Sequence, residues 1–172
     1  MIRQAKAGKP TRSFMGMQVA HLGIAVFVIG VTMVGAYQEE KDVRMLPGET
    51  VTVGGYQIQL QGVNAVPGPN YNAMRGTFLL SKDGSSQTTL YPEKRSYFTS
   101  TMPMTEAAID VGLTRDIYVS LGEELGDQSW AVRVYYKPFV DWIWGGCLLM
   151  ALGGALAISD KRYRMKLKGK TA

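Results

Sequence analysis

The chain has 172 residues, 46% hydrophobic and 19% charged, with a formal net charge of +5. That size suits one ordinary domain or a smaller domain with appendages, and the composition excludes a disordered tail, a collagen-like repeat and a two-domain enzyme. Two long stretches without an ionised side chain exclude a freely soluble enzyme as well.

Residues 1–12 carry Arg3, Lys6, Lys9 and Arg12 with no acid, which predicts a basic N-terminus over 1–13. Ser13 to Gln38 then runs for 26 residues without Asp, Glu, Lys or Arg. Roughly 20 residues in a helix cross a hydrocarbon core, so this run predicts a transmembrane helix over 14–37. A cleaved signal peptide is the alternative, with an apolar core from Val19 to Val34 and small residues at Gly35 and Ala36. That core exceeds the usual signal length of about 7–15 residues and begins near Gln18 and His21, which favours an uncleaved anchor. At about 100° per residue, Gly16, Ala20, Gly23 and Gly30 share one side of this helix. His21 points to the opposite side with Met17, Ala25, Val28 and Thr32. Small residues permit close helix approach, so the glycine side is expected to pack on another helix. Two readings of His21 stay open: an imidazole awaiting an absent partner, or one hydrogen-bonded near the membrane edge.

From 38 to 138 the period changes to two. Thr50–Val53 and Tyr56–Gln61 alternate apolar and polar around Gly54-Gly55, which predicts a tight hairpin with Val53 facing Tyr56, Thr52 facing Gln57 and Val51 facing Ile58. A second hairpin joins Thr77–Leu80 to Thr88–Tyr91 around Lys82, Asp83 and Gly84. A third joins Ile117–Leu121 to Trp130–Tyr136 across a loop from Gly122 to Ser129. Pro67 to Asn70 reads as a loop, and Thr105 to Ile109 as a short helix. Six strands at this spacing predict an antiparallel small barrel or sandwich, with Val51, Val53, Ile58, Leu60, Val119, Val132 and Val134 in its core. Glu93, Lys94 and Arg95, and Asp110, Arg115 and Asp116, are expected to form surface ion pairs.

Trp142 to Ser159 is the second run without ionised groups, 18 residues long, and predicts a transmembrane helix over 139–159. Gly145, Gly146, Gly153 and Gly154 repeat the small-residue device, and Cys147 is expected to be a small buried residue. The tail over 160–172 has six basic residues against Asp160, whereas 37–141 has nine basic and thirteen acidic ones. Positive flanks outside the two runs predict that both termini stay in the cytoplasm and the acidic middle is translocated, to the periplasm in a Gram-negative cell. The basic termini lack interleaved aromatic or base-reading residues, so nucleic acid is not expected as a partner.

Catalytic arrangements are sparse. One His and one Cys, both within apolar runs, build neither a Ser-His-Asp nor a Cys-His arrangement in the middle segment, and there is no P-loop or dinucleotide fingerprint.

Five blocks carry a resemblance. They are Ala20-His21-Leu22-Gly23, Leu90-Tyr91-Pro92-Glu93-Lys94-Arg95-Ser96-Tyr97, Met104-Thr105-Glu106-Ala107-Ala108-Ile109, Arg115 to Glu123, and Tyr136 to Trp144. In this order the chain resembles the C-terminal part of the CcmF/NrfE family of cytochrome c haem lyase subunits. The resemblance implies a multi-pass protein of the bacterial inner membrane, α+β in class, with two transmembrane helices flanking a periplasmic β-rich domain. It implies cytochrome c maturation, in which haem is attached covalently to apocytochrome c. It also implies that His21 is an axial ligand to the iron of a haem b held among helices. Other cytochrome c maturation proteins, apocytochrome c and a haem chaperone are the implied partners.

Family members are much longer, with many helices and a tryptophan-rich external segment that this chain lacks. A second haem ligand is therefore expected from an upstream part or a split partner chain, and the chain itself from a fragment or a split gene. The two other readings are a two-span anchor presenting a β-domain as scaffold or adaptor, and a single-span protein with a cleaved signal.

Overall fold

The computed structural model describes residues 10–160, the side chains of 86 and 87 excepted. The basic segments at 1–9 and 161–172 lie outside the described residues. In chain order the elements are α1 (Arg12–Tyr37), β1 (Glu39–Met45), β2 (Thr50–Val53), β3 (Tyr56–Pro67), β4 (Tyr71–Lys82), β5 (Ser85–Leu90), β6 (Glu93–Tyr97), β7 (Met104–Glu106), β8 (Ala108–Gly112), β9 (Arg115–Gly126), β10 (Ser129–Pro138) and α2 (Val140–Ile158). The chain divides into a β-rich unit, Met33–Val140, and a unit containing the bulk of both helices.

Within the β-rich unit all pairings are antiparallel. One sheet has the order β1-β10-β9-β8, the other β2-β3-β4-β6-β7, with β5 also on β4. The strand β4 serves two partners in succession: Tyr71–Arg75 pairs with β6, and Phe78–Lys82 with β5. Between them the Gly76 N–H donates to the Pro92 carbonyl at 2.9 Å, where the chain passes from β5 to β6.

Alternation decides which side chains face inward. Ile58, Leu60, Phe78 and Leu80 from one sheet meet Val119, Leu121 and Val134 from the other, all fully buried. Each such side chain adds about 1.5–3 kcal/mol of transfer free energy, the dominant favourable contribution to this unit. Every residue expected in the core is there, with Val51 packed against its margin. The first hairpin has the expected register. Its two loop residues take φ of +56° and +77°, at Gly54 and Gly55, the primed turn that matches strand twist. Tyr136 packs directly over Gly54, so a side chain there would also collide with the ring.

The structure departs from the sequence expectations at several points. Among the described residues ten strands form, not six. The segment Thr105 to Ile109 is not helical: it is the end of β7 and the start of β8, pairing Glu106 with Glu93 and Ile109 with Tyr118. The chain crosses there from one sheet to the other, and pairing with the open edges of β6 and β9 outweighs the local helix preference of Glu-Ala-Ala. The third hairpin has a two-residue turn, Asp127-Gln128, both at positive φ, because its strands run on to Gly126 and from Ser129. Register shifts at Ser129, Trp130 and Val132 absorb the extra length. Glu93 and Asp116 are buried, not at the surface.

In the helical unit α1 and α2 run antiparallel in contact through glycine. A Cβ at Gly16 would lie 2.5 Å from the Gly153 carbonyl oxygen, one at Gly23 2.8 Å from that of Gly146, and one at Gly30 2.9 Å from Ile143. The spacing of seven keeps the three on one side of α1. Of the four glycines expected to serve α2, Gly146 and Gly153 do; Gly145 and Gly154 face open space. Cys147 is exposed, because the face of α2 that packs holds glycines and leaves no room for sulfur.

Candidate functional site

His21 is the tenth of the 26 residues of α1. The helix begins with Thr11, whose Oγ1 accepts the Phe14 N–H at 3.2 Å, and with Asp160, whose carboxylate accepts the Ser13 N–H at 2.9 Å. A carboxylate at a helix N-terminus satisfies an orphan donor and complements the macrodipole. Asp160 follows α2, so this contact fastens the start of α1 to the end of α2, beside the Gly16–Gly153 approach.

With Gly16, Gly23 and Gly30 buried, His21 lies about 160° around α1 from Gly23 and is exposed. Leu22, at 57% exposure, and Val28, at 53%, share its outward aspect. The ring nitrogen Nδ1 is 2.7 Å from the Met17 carbonyl oxygen, one turn back. A carbonyl only accepts, so the proton of that bond resides on Nδ1, and in the neutral imidazole Nε2 carries the lone pair directed away from the backbone. The helix thus fixes both tautomer and ring direction, as a partner to the second nitrogen does for metal-ligating imidazoles. A lone-pair nitrogen standing on an apolar helix face suits axial ligation of a porphyrin iron, whose macrocycle needs an apolar bed. The chain supplies one such nitrogen, because His21 is its one histidine. Among the described residues no group of three or more His, Cys, Asp or Glu is arranged to hold a metal ion.

The β-rich unit contributes other features that sequence reading missed. Glu93 is 5% exposed and accepts from Arg75 Nε at 2.6 Å and Arg95 Nε at 2.8 Å, while Arg95 also reaches Glu106 at 3.4 Å and stacks over Tyr71. The Arg95 guanidinium, and after it Arg75, holds the Glu93 carboxyl below the usual range against the opposing effect of burial. This network ties β4, β6 and β7 together. Arg115 likewise links the two sheets, donating to the Tyr56 hydroxyl at 2.9 Å while ion-paired to Asp110. Both clusters consist of paired charges with structural partners. The Arg75–Glu93 pairing across β4 and β6 was invisible without the strand register, which no local pattern supplies. A cleft of about 630 Å³ opens beside Trp130, with Met74, Val66 and Pro103 as apolar wall and Lys94 and Glu123 at the rim.

Comparison with known proteins fits this architecture. The family described as the CcmF C-terminal beta-sandwich matches residues 36–138. The cytochrome c-type biogenesis protein CcmF of Pseudomonas aeruginosa is 54% identical over 164 residues, 95% of this chain and 25% of that protein. The protein of the same name from Escherichia coli is 48% identical over 166 residues, 96% of this chain and 26% of its own length. The cytochrome c-type biogenesis protein NrfE of Haemophilus influenzae is 34% identical over 90% of this chain. A solved structure of the cytochrome c haem lyase CcmF superposes with a TM-score of 0.71 at 21% identity, covering 86% of this chain and 25% of that one, which establishes the shared fold. The chain spans about a quarter of the length of these relatives. With the family's β-sandwich occupying well over half of its length, the chain belongs to the CcmF family, corresponding to the C-terminal part.

Proposed function

We propose that this chain is the C-terminal membrane module of a cytochrome c maturation complex and that His21 provides one axial ligand to a haem b shared with an upstream part or split partner. One observation carries the reading. His21 stands on the side of α1 that the α2 contact leaves open, with Nδ1 bonded to its own helix and Nε2 free to bind. An imidazole on a lipid-level helix face is costly without a partner, and a haem iron provides one.

In this reading α1 and α2 cross the bacterial inner membrane with both ends in the cytoplasm and residues 38–138 in the periplasm. The apolar lengths and the acidic middle between basic flanks support that orientation. A haem b held at this position would supply one-electron redox chemistry. The residues of this chain do the holding: the Met17 carbonyl fixes the ring of His21, and the glycine contacts fix α1 against α2. Apocytochrome c, a haem chaperone and the other maturation proteins are partners of the assembled complex, through surfaces that this quarter supplies only in part.

The test is co-expression with the upstream part. The complex is expected to show a reducible b-type absorption spectrum, the purified chain alone little haem, and the His21→Ala complex no such spectrum with the chain still in the membrane. An unchanged spectrum in the His21→Ala complex overturns the assignment. Orientation is tested by cysteine labelling from outside, which should reach Ser85→Cys and spare Lys166→Cys; the reverse pattern overturns it.

A further inference from the structure

We infer that the turn between β8 and β9, with Val111 and Leu113 as apolar prongs and Lys137 beside them, is a lipid-contacting foot of the β-rich unit, seated in the headgroup region of an anionic bilayer. This rests on the reading of α2 as a membrane span.

Chain geometry sets the level of the turn. The Phe139 N–H donates to the Thr114 carbonyl at 3.0 Å, Pro138 pairs with Arg115, and α2 begins at Val140. Thr114 is thereby held at the residue before the span starts, and Leu113 is its chain neighbour. If α2 enters the bilayer at its first turn, the turn meets the interface. The side chains there are otherwise out of character for a water-facing loop. Leu113 is 77% exposed and Val111 64%, at alternate positions leading into the turn. Val111 belongs to the outward side of its sheet, since β8 turns Ala108 and Asp110 toward the interior, and Leu113 stands in the turn that follows β8.

The surroundings suit headgroups. By register Ile109, Tyr118 and Tyr135 form one row on this outer face. The Lys137 ammonium sits 5.2 Å from the Tyr118 ring centroid and 5.1 Å from that of Tyr135. Tyrosines at headgroup depth, an amine reaching phosphate and aliphatic prongs below it are what interfacial anchors use. Charge differs between the two ends of the β9–β10 hairpin: Glu123, Glu124 and Asp127 stand at the far end, whereas at this end Asp116 pairs by register with Lys137, Asp110 is ion-paired to Arg115, and Glu40 lies beside Tyr135. Anionic lipid repels the far end and meets Lys137 at this one.

The test uses the full chain in phosphatidylethanolamine–phosphatidylglycerol vesicles, with an environment-sensitive fluorophore on a single cysteine. Leu113→Cys and, independently, Val111→Cys are made with Cys147→Ser; Leu125→Cys, at the far end and also exposed, is the comparison. Quenchers are lipids with a nitroxide at shallow or deep acyl positions, and iodide on both sides. Probes at 111 and 113 should be blue-shifted, quenched most by the shallow nitroxide, protected from iodide and placed about 5–10 Å into the interface. The Leu125→Cys probe should be quenched by iodide alone. Iodide quenching at 111 and 113 equal to that at 125 overturns the inference, as does shielding from both quenchers, which means a protein surface covers the turn. The span is judged separately by labelling the native Cys147, exposed on α2, which should be quenched by the deep nitroxide. Failure there overturns the span itself, and a quenched Cys147 with an iodide-quenched Leu113→Cys overturns the foot alone.

Discussion

The β-rich unit and the helix pair are built on opposite plans. In the first, large side chains are the interior: Phe78, Ile58, Leu60 and Leu80 show no exposure at all. In the second, the buried residues are glycines, while Leu22, Leu148 and Leu152 point outward, each more than half exposed. A water-solvated fold gains by hiding apolar surface; on the proposed reading of α1 and α2 as membrane spans, a lipid-solvated pair gains nothing by it, and its contact rests on close backbone approach. Side-chain volume decides the packing of one region, and absence of volume that of the other.

The largest expected effect strikes the first plan. Phe78→Ala should cost the β-rich unit about 3–5 kcal/mol, because transfer energy is lost and a cavity is left between two rigid sheets. Thermal melting of the detergent-solubilised chain, followed by near-ultraviolet circular dichroism, measures it. Loss below about 1 kcal/mol would mean that the core collapses around the gap, unlike a close-packed interior.

The second plan is broken by adding volume. A Cβ at Gly153 would lie 2.5 Å from the Ala20 nitrogen and 2.6 Å from the Gly16 carbonyl oxygen, all backbone that cannot yield locally. Gly153→Leu should therefore spread α1 and α2 while the melting of the β-rich unit stays as it was. Spin labels at Phe14→Cys and Ile158→Cys, with Cys147→Ser, report this as a longer and broader distance distribution. Gly154→Leu, at a position with open space, should leave the distribution unchanged.

Within the β-rich unit, Glu93 is a buried carboxylate held by two arginines. Glu93→Gln should cost about 1 kcal/mol at neutral pH, a figure discounted because Arg75 is 41% exposed. Arg95 first, then Arg75, lowers the folded-state carboxyl below its ordinary value of 4.5. The contribution is thus complete above the unfolded value and lost as pH falls through the folded one. The native chain should lose stability on acidification below about pH 4.5, and the Glu93→Gln chain should show a shallower loss over the same interval. Parallel curves would remove Glu93 from the acid response.

The sequence revealed the two plans unequally. Gly54-Gly55 fixed a turn, and the turn fixed the pairing of Val53 with Tyr56 and Val51 with Ile58, because a period of two leaves one register that keeps apolar residues together. Periodicity likewise set the glycine side of α1 against the His21 side. What stayed hidden was long-range. The exchange of partners along β4 and the crossing from β7 to β8 depend on edges presented by distant strands, and Thr105–Ile109 by itself carries no mark of them. Glu93 read as a surface charge because its two arginines come from β4 and β6, one of them 18 residues away. The hydrogen bond that directs the His21 ring was hidden for another reason: every residue four positions after another meets that carbonyl, and the choice of ring nitrogen is a matter of rotamer.

The smallest effect belongs to charges on the surface of the β-rich unit. Arg133 forms a two-pronged pair with Asp42 across β10 and β1, at 2.5 Å and 2.7 Å, and also approaches Glu40 at 3.5 Å. The geometry is good, and the hydrogen bond from Arg133 lowers the Asp42 carboxyl from its usual value. Both side chains are more than half exposed, however, so water and salt screen the pair and compete for every donor. The β1–β10 ladder that the pair straddles is already held by seven matched residues, with Met45 and Val132 buried beneath it. Arg133→Gln should therefore leave the melting temperature unchanged at physiological salt and lower it only slightly at low ionic strength. A drop near that of Phe78→Ala would mean that this sheet depends on its surface charges as much as on its interior, and the contrast between the two plans would have to be redrawn around electrostatics.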